Sequence, residues 1–476
     1  MCIKIKTRAK IILIIEKSNY SPISFQNLFV SIVFSIFGGS NRVLTREESG
    51  MQRTLWSYDS VVYEMNVRQL TKEGTFEMAM RYLRHLRKLG VDVVWLMPIY
   101  PIGVVERKGS LGSYYSISDY CAVNPEFGTM TDFDAFVKEA HRLGMKVILD
   151  WVANHTARDA KWLKDKPISW YERDEQGVAK VPWDWSDTAK LNYEEKAVWQ
   201  GQIEAMKFWV REHAIDGFRC DMAMLVPLEF WQQVRKELQC VKKDIFMLAE
   251  AEGKEFFNNA FDACYGWELH HTMVDVAQGK SRVWELRNKI YSLLNDYPHS
   301  SMHLSFTSNH DENSWSGSEQ SRFGDSLKAM TALTFVLPKA LPLIYTGQEI
   351  DYDHSFAFFD KDAMPAFEPN QTTELYRRLC EMKHSFSALR SADLGGSFIE
   401  IDNNAPDCLM TFVREDERSR VVYIANLSPY KVFTDFHTGI YAGEYVDVLT
   451  GEEITIYEHT WGDMEPWSFR LLAKMK

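Results

Sequence analysis

The chain has 476 residues, 46% hydrophobic and 25% charged, which excludes whole-chain disorder and suits one large enzyme-sized domain with a smaller appendage. A net charge of -12, with no block rich in lysine and arginine, argues against nucleic acid and anionic membrane as partners and for a neutral substrate. Seven widely spaced cysteines without a CxxC pair suggest neither a zinc site nor a disulfide framework, so reduced, mostly buried thiols are expected.

Residues 1–52 differ from everything after them. Lys4, Lys6, Arg8 and Lys10 precede a short apolar run over 11–15, and a second run, 28–37, leads into Gly38, Gly39 and Ser40. Both are shorter than the roughly 20 residues that a helix needs to cross a bilayer, so no integral membrane span is expected. The second run has the length of a signal-peptide core behind an unusually long leader, and a non-native or loosely ordered extension is the other reading. The expected location is cytoplasmic, with export or a periplasmic location as the alternative.

From residue 53 onward, short apolar stretches alternate with longer amphipathic ones. Strands are predicted over 61–66, 91–97, 146–150, 217–221, 245–250, 260–265, 304–309 and 341–345. Helices are predicted over 76–89, 132–143, 196–212, 227–239, 283–296, 323–335 and 373–389, with Gly90 and Gly144 as stop signals. Eight strands in this rhythm predict an α/β fold, a (β/α)8 TIM barrel over 53–389. An excursion over 156–193, after the third strand, concentrates Trp162, Trp170, Tyr171, Trp183 and Trp185. Their rings suit sugar stacking, although packing is the safer reading for some of them. Residues 390–476 read as an appended all-β domain, with strand-like runs at 409–414, 420–425 and 444–448.

Four motifs carry chemistry: DWVANH from Asp150, GFRCDMA from Gly217, MLAEAE from Met247 and TSNHD from Thr307. The carboxyl ends of barrel strands form the catalytic face, so Asp150, Asp221, Glu250 and Asp311 are candidates for that face. Each alone is as well explained by an ion pair or a loop cap; the conjunction points to cleavage of an acetal, which needs an acid at the leaving oxygen and a carboxylate facing the anomeric carbon. Strand alternation puts Arg219 on the side of Asp221 and turns Cys220 away.

These motifs, in this order, resemble those of the α-amylase family of glycoside hydrolases, and the likeness runs from about residue 55 to the end. The resemblance implies a retaining α-glucan hydrolase acting on starch-type oligosaccharides. Asp221 would be the nucleophile, Glu250 the acid and base, and Asp311 the third carboxylate. It further implies that Arg219 keeps Asp221 ionised, that neighbouring carboxylates raise the pKa of Glu250, and that His155 and His310 hydrogen-bond the sugar. Tyr115 matches the stacking tyrosine, although Tyr114 is adjacent. A glucanotransferase, an α-glucosidase or a cyclomaltodextrinase would use the same triad, and a non-catalytic binding protein is the remote alternative. Calcium stays open: Asn154 matches a family ligand, Asp184 and Asp187 are further candidates, and Met224-Leu225 replaces a common Lys-His pair, which puts contacts to the reducing-side sugars in doubt.

Overall fold

The computed structural model describes residues 2–6, 10–14 and 53–476. Strand β1 (Cys2–Lys6) pairs antiparallel with β2 (Lys10–Ile14), so most of the first apolar run is a strand. The second run, 28–37, lies outside the described residues. No helix among the described residues is long and apolar enough to cross a membrane.

Eight parallel strands close into a barrel: β3 (Val62–Met65), β4 (Val93–Leu96), β5 (Lys146–Val152), β8 (Gly217–Asp221), β9 (Phe246–Ala249), β10 (Ala263–Tyr265), β11 (Met302–Ser305) and β12 (Ala340–Tyr345). Closure comes from β12 on β3, with Leu343 opposite Val62. Side-chain alternation splits the apolar residues into two layers. Val62, Trp95, Ile148, Leu248 and Leu343 fill the lumen, while Tyr63, Val94, Phe218 and Cys220 pack outward against helices through residues such as Leu86 and Trp209. The helix Phe76–Leu89 illustrates the outer layer. Thr75 caps it by accepting from Met78 N, buried Phe76, Ala79, Leu83 and Leu86 recur every three or four residues, and Gly90 ends it at φ 103°.

Gly217, first residue of GFRCD, is dictated by contact. A Cβ there would lie 2.2 Å from the carbonyl oxygen of Phe246 on the neighbouring strand. Gly217→Ala is therefore expected to destabilise the fold by about 1–3 kcal/mol, read as a lower denaturant midpoint at constant slope.

Just before it, Asp216 gathers His141, Lys146, Lys242 and the backbone N–H of Val147. Burial pushes its carboxyl up, but the hydrogen bond from His141 and the charge of Lys242 outweigh that and bring it to about 2, below the ordinary 3.8. The stabilisation it gives is thus full above the unfolded-state value and is lost as pH falls through the folded one. It amounts to about 2 kcal/mol. Urea midpoints of wild type and Asp216→Asn should differ at neutral pH and converge toward about pH 2.

Between β5 and β8, β6 (His155–Ala157) pairs antiparallel with β7 (Thr188–Lys190) and ties the excursion to the barrel mouth. Trp170, Tyr171 and Leu191 pack there in a small core of their own. Two helices depart from expectation. Trp267–Ala277 follows β10 unforeseen, and the seventh strand ends at Ser305, so His310–Ser316 is a helix where strand residues were expected nearby.

The C-terminal part is all β. Strands β13 (Ser397–Glu400), β14 (Leu409–Glu415), β15 (Ser419–Asn426), β17 (Gly443–Asp447), β18 (Glu453–Ile456) and β20 (Phe469–Met475) form a six-stranded antiparallel sheet in the order 13-14-15-20-17-18. A separate ribbon pairs β16 (Val432–His437) with β19 (His459–Met464). The sheet shares the barrel's outer core, and Tyr423 donates to the carbonyl of Ala329 at 2.9 Å. All six cysteines of 53–476 are free; only Cys220, Cys264 and Cys380 are buried, so the thiols are more exposed than expected.

Candidate active site

Arg219 is the centre of the site. The register sets Asp150 of β5 opposite Arg219 of β8, and Val152 opposite Asp221. Alternation then sends Asp150, Arg219 and Asp221 into the lumen at its carboxyl end, while Cys220 joins the outer layer. The fully buried guanidinium donates from Nη1 to Asp150 Oδ1 at 3.0 Å and to Asp221 Oδ1 at 3.1 Å. Its Nη2 lies 2.9 Å from Glu250 Oε2, and its Nε donates to the Tyr265 hydroxyl at 3.1 Å. Glu250, one residue past β9, also accepts from Met222 N at 2.7 Å through Oε2. Asp221 and Glu250 therefore lie within the reach of one planar, charged group.

Asp311 arrives differently. It sits in the first turn of the helix His310–Ser316, six residues beyond β11 and not at a strand end, because Asn309 caps that helix by accepting from Glu312 N at 2.8 Å. Its neighbour His310 links it to the rest. His310 Nδ1 lies 2.5 Å from Glu64 Oε1, and Nε2 lies 2.7 Å from the Tyr115 hydroxyl and 3.3 Å from Asp311 Oδ2. Tyr115 in turn donates to Asp150 Oδ2 at 3.1 Å, so a continuous polar chain joins Asp311 to Arg219. Tyr114 is elsewhere: it is buried under the Arg68 guanidinium and donates to Asn66.

The charge balance explains the titration of the group. Five carboxylates, Glu64, Asp150, Asp221, Glu250 and Asp311, surround two cations, Arg219 and His310. Burial opposes charging His310, but Asp311 and Glu64 outweigh it and raise its pKa well above the usual value. Asp311 is pushed up by burial yet held low on balance by His310. Burial drives Asp221 well above the usual carboxylate range, with the charge of Glu250 adding to the push and Arg219 opposing it. Burial also raises Glu250, against Arg219. The expectation that Arg219 keeps Asp221 ionised therefore meets a counter-pressure, because the guanidinium is shared with Asp150 and Glu250. His155 stays neutral, because burial lowers it to about 4.

Above these groups lies a cleft of about 360 Å³ lined by Tyr115, His155, Asp221, Glu250, His310 and Asp311. Trp185, Trp315, Phe358 and Phe359 add aromatic walls. Lys108 reaches in from the loop before Tyr115 and lies 3.6 Å from Asp187. Glu64 and the walls of Trp315, Phe358 and Phe359 were not among the residues singled out in the sequence.

Comparison with known families decides what this arrangement belongs to. The model described as "Alpha amylase, catalytic domain" matches residues 69–185 and 169–387, and that described as "Alpha amylase, C-terminal all-beta domain" matches 400–465. The chain belongs to the α-amylase family. Alpha-amylase MalA of Haloarcula japonica is 25% identical over 417 residues, which cover 83% of this chain but only 59% of that relative's length. Among solved structures, a maltogenic alpha-amylase, AmyB, of Thermotoga neapolitana is 28% identical with a TM-score of 0.80, covering 88% of this chain and 99% of its own. An alpha-amylase of Lactobacillus plantarum is 29% identical with a TM-score of 0.78, covering 89% and 100%.

The residues named for calcium in this α-amylase family chain are Asn154, Asp184 and Asp187. The amide nitrogen of Asn154 lies 3.2 Å from His155 Nδ1, and Asp187 is already paired with an ammonium. Asp187 Oδ2 is buried without a hydrogen-bond partner, and calcium takes amide and backbone carbonyl oxygens as well as carboxylates.

Proposed function

We propose that the chain is a retaining α-glucan hydrolase that cleaves α-glycosidic bonds of starch-type oligosaccharides through a covalent glycosyl-enzyme intermediate. One observation carries the reading. Asp221 and Glu250 are bound to a single guanidinium at the floor of an aromatic-walled cleft, with Asp311 entering from a separate element.

The donors divide the oxygens by task. Arg219 occupies Asp221 Oδ1, which leaves Oδ2 to attack the anomeric carbon. Met222 N and Arg219 both meet Glu250 Oε2, so Oε1 is the oxygen placed to carry the proton. In the first step the Asp221 carboxylate forms a bond to the anomeric carbon while the bond to the leaving oxygen breaks, and that oxygen takes the proton of Glu250. In the second, the Glu250 carboxylate takes a proton from water, whose oxygen displaces Asp221 and regenerates both groups. Asp311 and His310 would hold sugar hydroxyls, and neutral His155 would add a hydrogen bond without a charge. Tyr115 and the cleft's other rings supply apolar faces for stacking.

A neutral glycan agrees with the electrostatics. The only lysine among the described lining residues, Lys108, is taken up by Asp187, and the net charge is -12. Timed product profiles from maltoheptaose and pullulan, with the anomeric configuration followed by NMR, test the proposal. Shorter α-configured products are expected. Chains longer than the substrate would show transfer to a sugar hydroxyl in place of water, and β-configured products would contradict the double displacement.

A further inference from the structure

Far along the chain from the cleft residues, the ribbon β16–β19 carries a second cluster of chemistry-bearing side chains. Its register sets His437 directly opposite His459, and Asp435 opposite Trp461. Because alternate residues share a face, Asp435, His437, His459 and Trp461 stand together on one side. Phe436, on the other side, is buried against Ile401 and Leu409 in the domain's own core. The outward face is open: Trp461 is 69% exposed.

We propose that Asp435, His437 and His459 form a zinc-binding site. One ligand atom from each lies within 4.8 Å of the other two, and among the described residues no other group of three His, Cys, Asp or Glu meets that condition. The two imidazoles are stacked, with centroids 4.6 Å apart and planes 10° from parallel, and Asp435 Oδ1 accepts from His459 Nε2. Two imidazole nitrogens with a carboxylate oxygen beside them are the kind of donor set that zinc takes up. Zinc binding would require the stacked rings to turn so that the three donors meet at one ion, and the exposed face leaves the fourth tetrahedral position to water.

The supporting backbone is suited to the role. All six positions of β16 are paired to β19, so the histidines are held in register before any ion arrives. Bound zinc would close a cross-strand clip in a ribbon that stands apart from the six-stranded sheet. It would stabilise the C-terminal part of the chain by mass action, since the unfolded chain does not bring the three ligands together.

Zinc chloride titrated calorimetrically into the chelator-treated full chain tests this. One ion per chain is expected, with a zinc-dependent rise in melting temperature, and cobalt should give the visible absorption of a tetrahedral site. His459→Gln and Asp435→Asn are each expected to weaken binding by more than the roughly 10- to 100-fold that loss of an outer-shell partner costs. Both should leave glycan cleavage unchanged, because these side chains lie outside the cleft, and should shift the metal-free melting temperature by no more than the loss of one exposed ion pair. Absence of binding to the wild-type chain would overturn the proposal, as would zinc affinity unchanged in a His437→Gln, His459→Gln double variant, which would locate the ion elsewhere.

Discussion

Asp221→Asn is expected to abolish turnover, lowering kcat by about 10⁴-fold or more, while leaving the protein folded and able to bind an unreactive maltooligosaccharide. The amide has the shape of the carboxylate and can still accept from Arg219 Nη1, so the scaffold around Asp150 and Glu250 survives. What is lost is the charge that attacks the anomeric carbon. The same charge is a burden to the fold, because five carboxylates crowd two cations there. Thermal melting of Asp221→Asn should therefore occur at or above the wild-type temperature, and a large loss of stability would refute this view of the charge balance.

Glu250→Gln is expected to cost roughly 10²–10⁴-fold on glucans, but in a way that depends on the leaving group. An α-maltosyl fluoride needs no proton on departure, so the first step should be largely spared and the intermediate should accumulate. Azide, which needs no base, should then restore turnover. The pH profile gives a second reading of the same residue. Activity requires Asp221 ionised and Glu250 protonated, so it falls at low pH as Asp221 gains a proton and at high pH as Glu250 loses one. Burial raises both groups, which places both limbs above the ordinary carboxylate range. In Glu250→Gln with the fluoride substrate the alkaline limb should disappear and the acid limb remain. Loss of both limbs would assign the alkaline one to another group.

Much of this site was legible because strands encode direction. Arg219 and Asp221 could be assigned to one face from alternation alone, and Cys220 to the other, whereas Asp150 was marked only by its place at a strand end and needed the register to meet Arg219. Asp311 was found for its motif but put on the wrong kind of element. The signal for a helix was present, since Asn309 followed by Glu312 three residues later is a capping pattern. Glu64 left a fainter mark. A lone acid in an apolar strand has no local meaning, and its role appears only when His310, 246 positions away, is folded against it. The choice between Tyr114 and Tyr115 likewise depends on distant partners, Arg68 and Asn66 for the one, Asp150 and His310 for the other. The walls of Trp315, Phe358 and Phe359 come from connections after β11 and β12, where neither periodicity nor turn chemistry announces a ligand surface. A calcium cage is a property of several oxygens converging in space, which the one matching asparagine does not report.

The central claim is that the carboxylate of Asp221 bonds to the anomeric carbon. Peptide mass spectrometry of Glu250→Gln after brief exposure to α-maltosyl fluoride tests it most directly. A single maltosyl adduct is expected on the peptide that contains Asp221, absent when Asp221→Asn is added. An adduct on a different residue, or none alongside β-configured products, would contradict it.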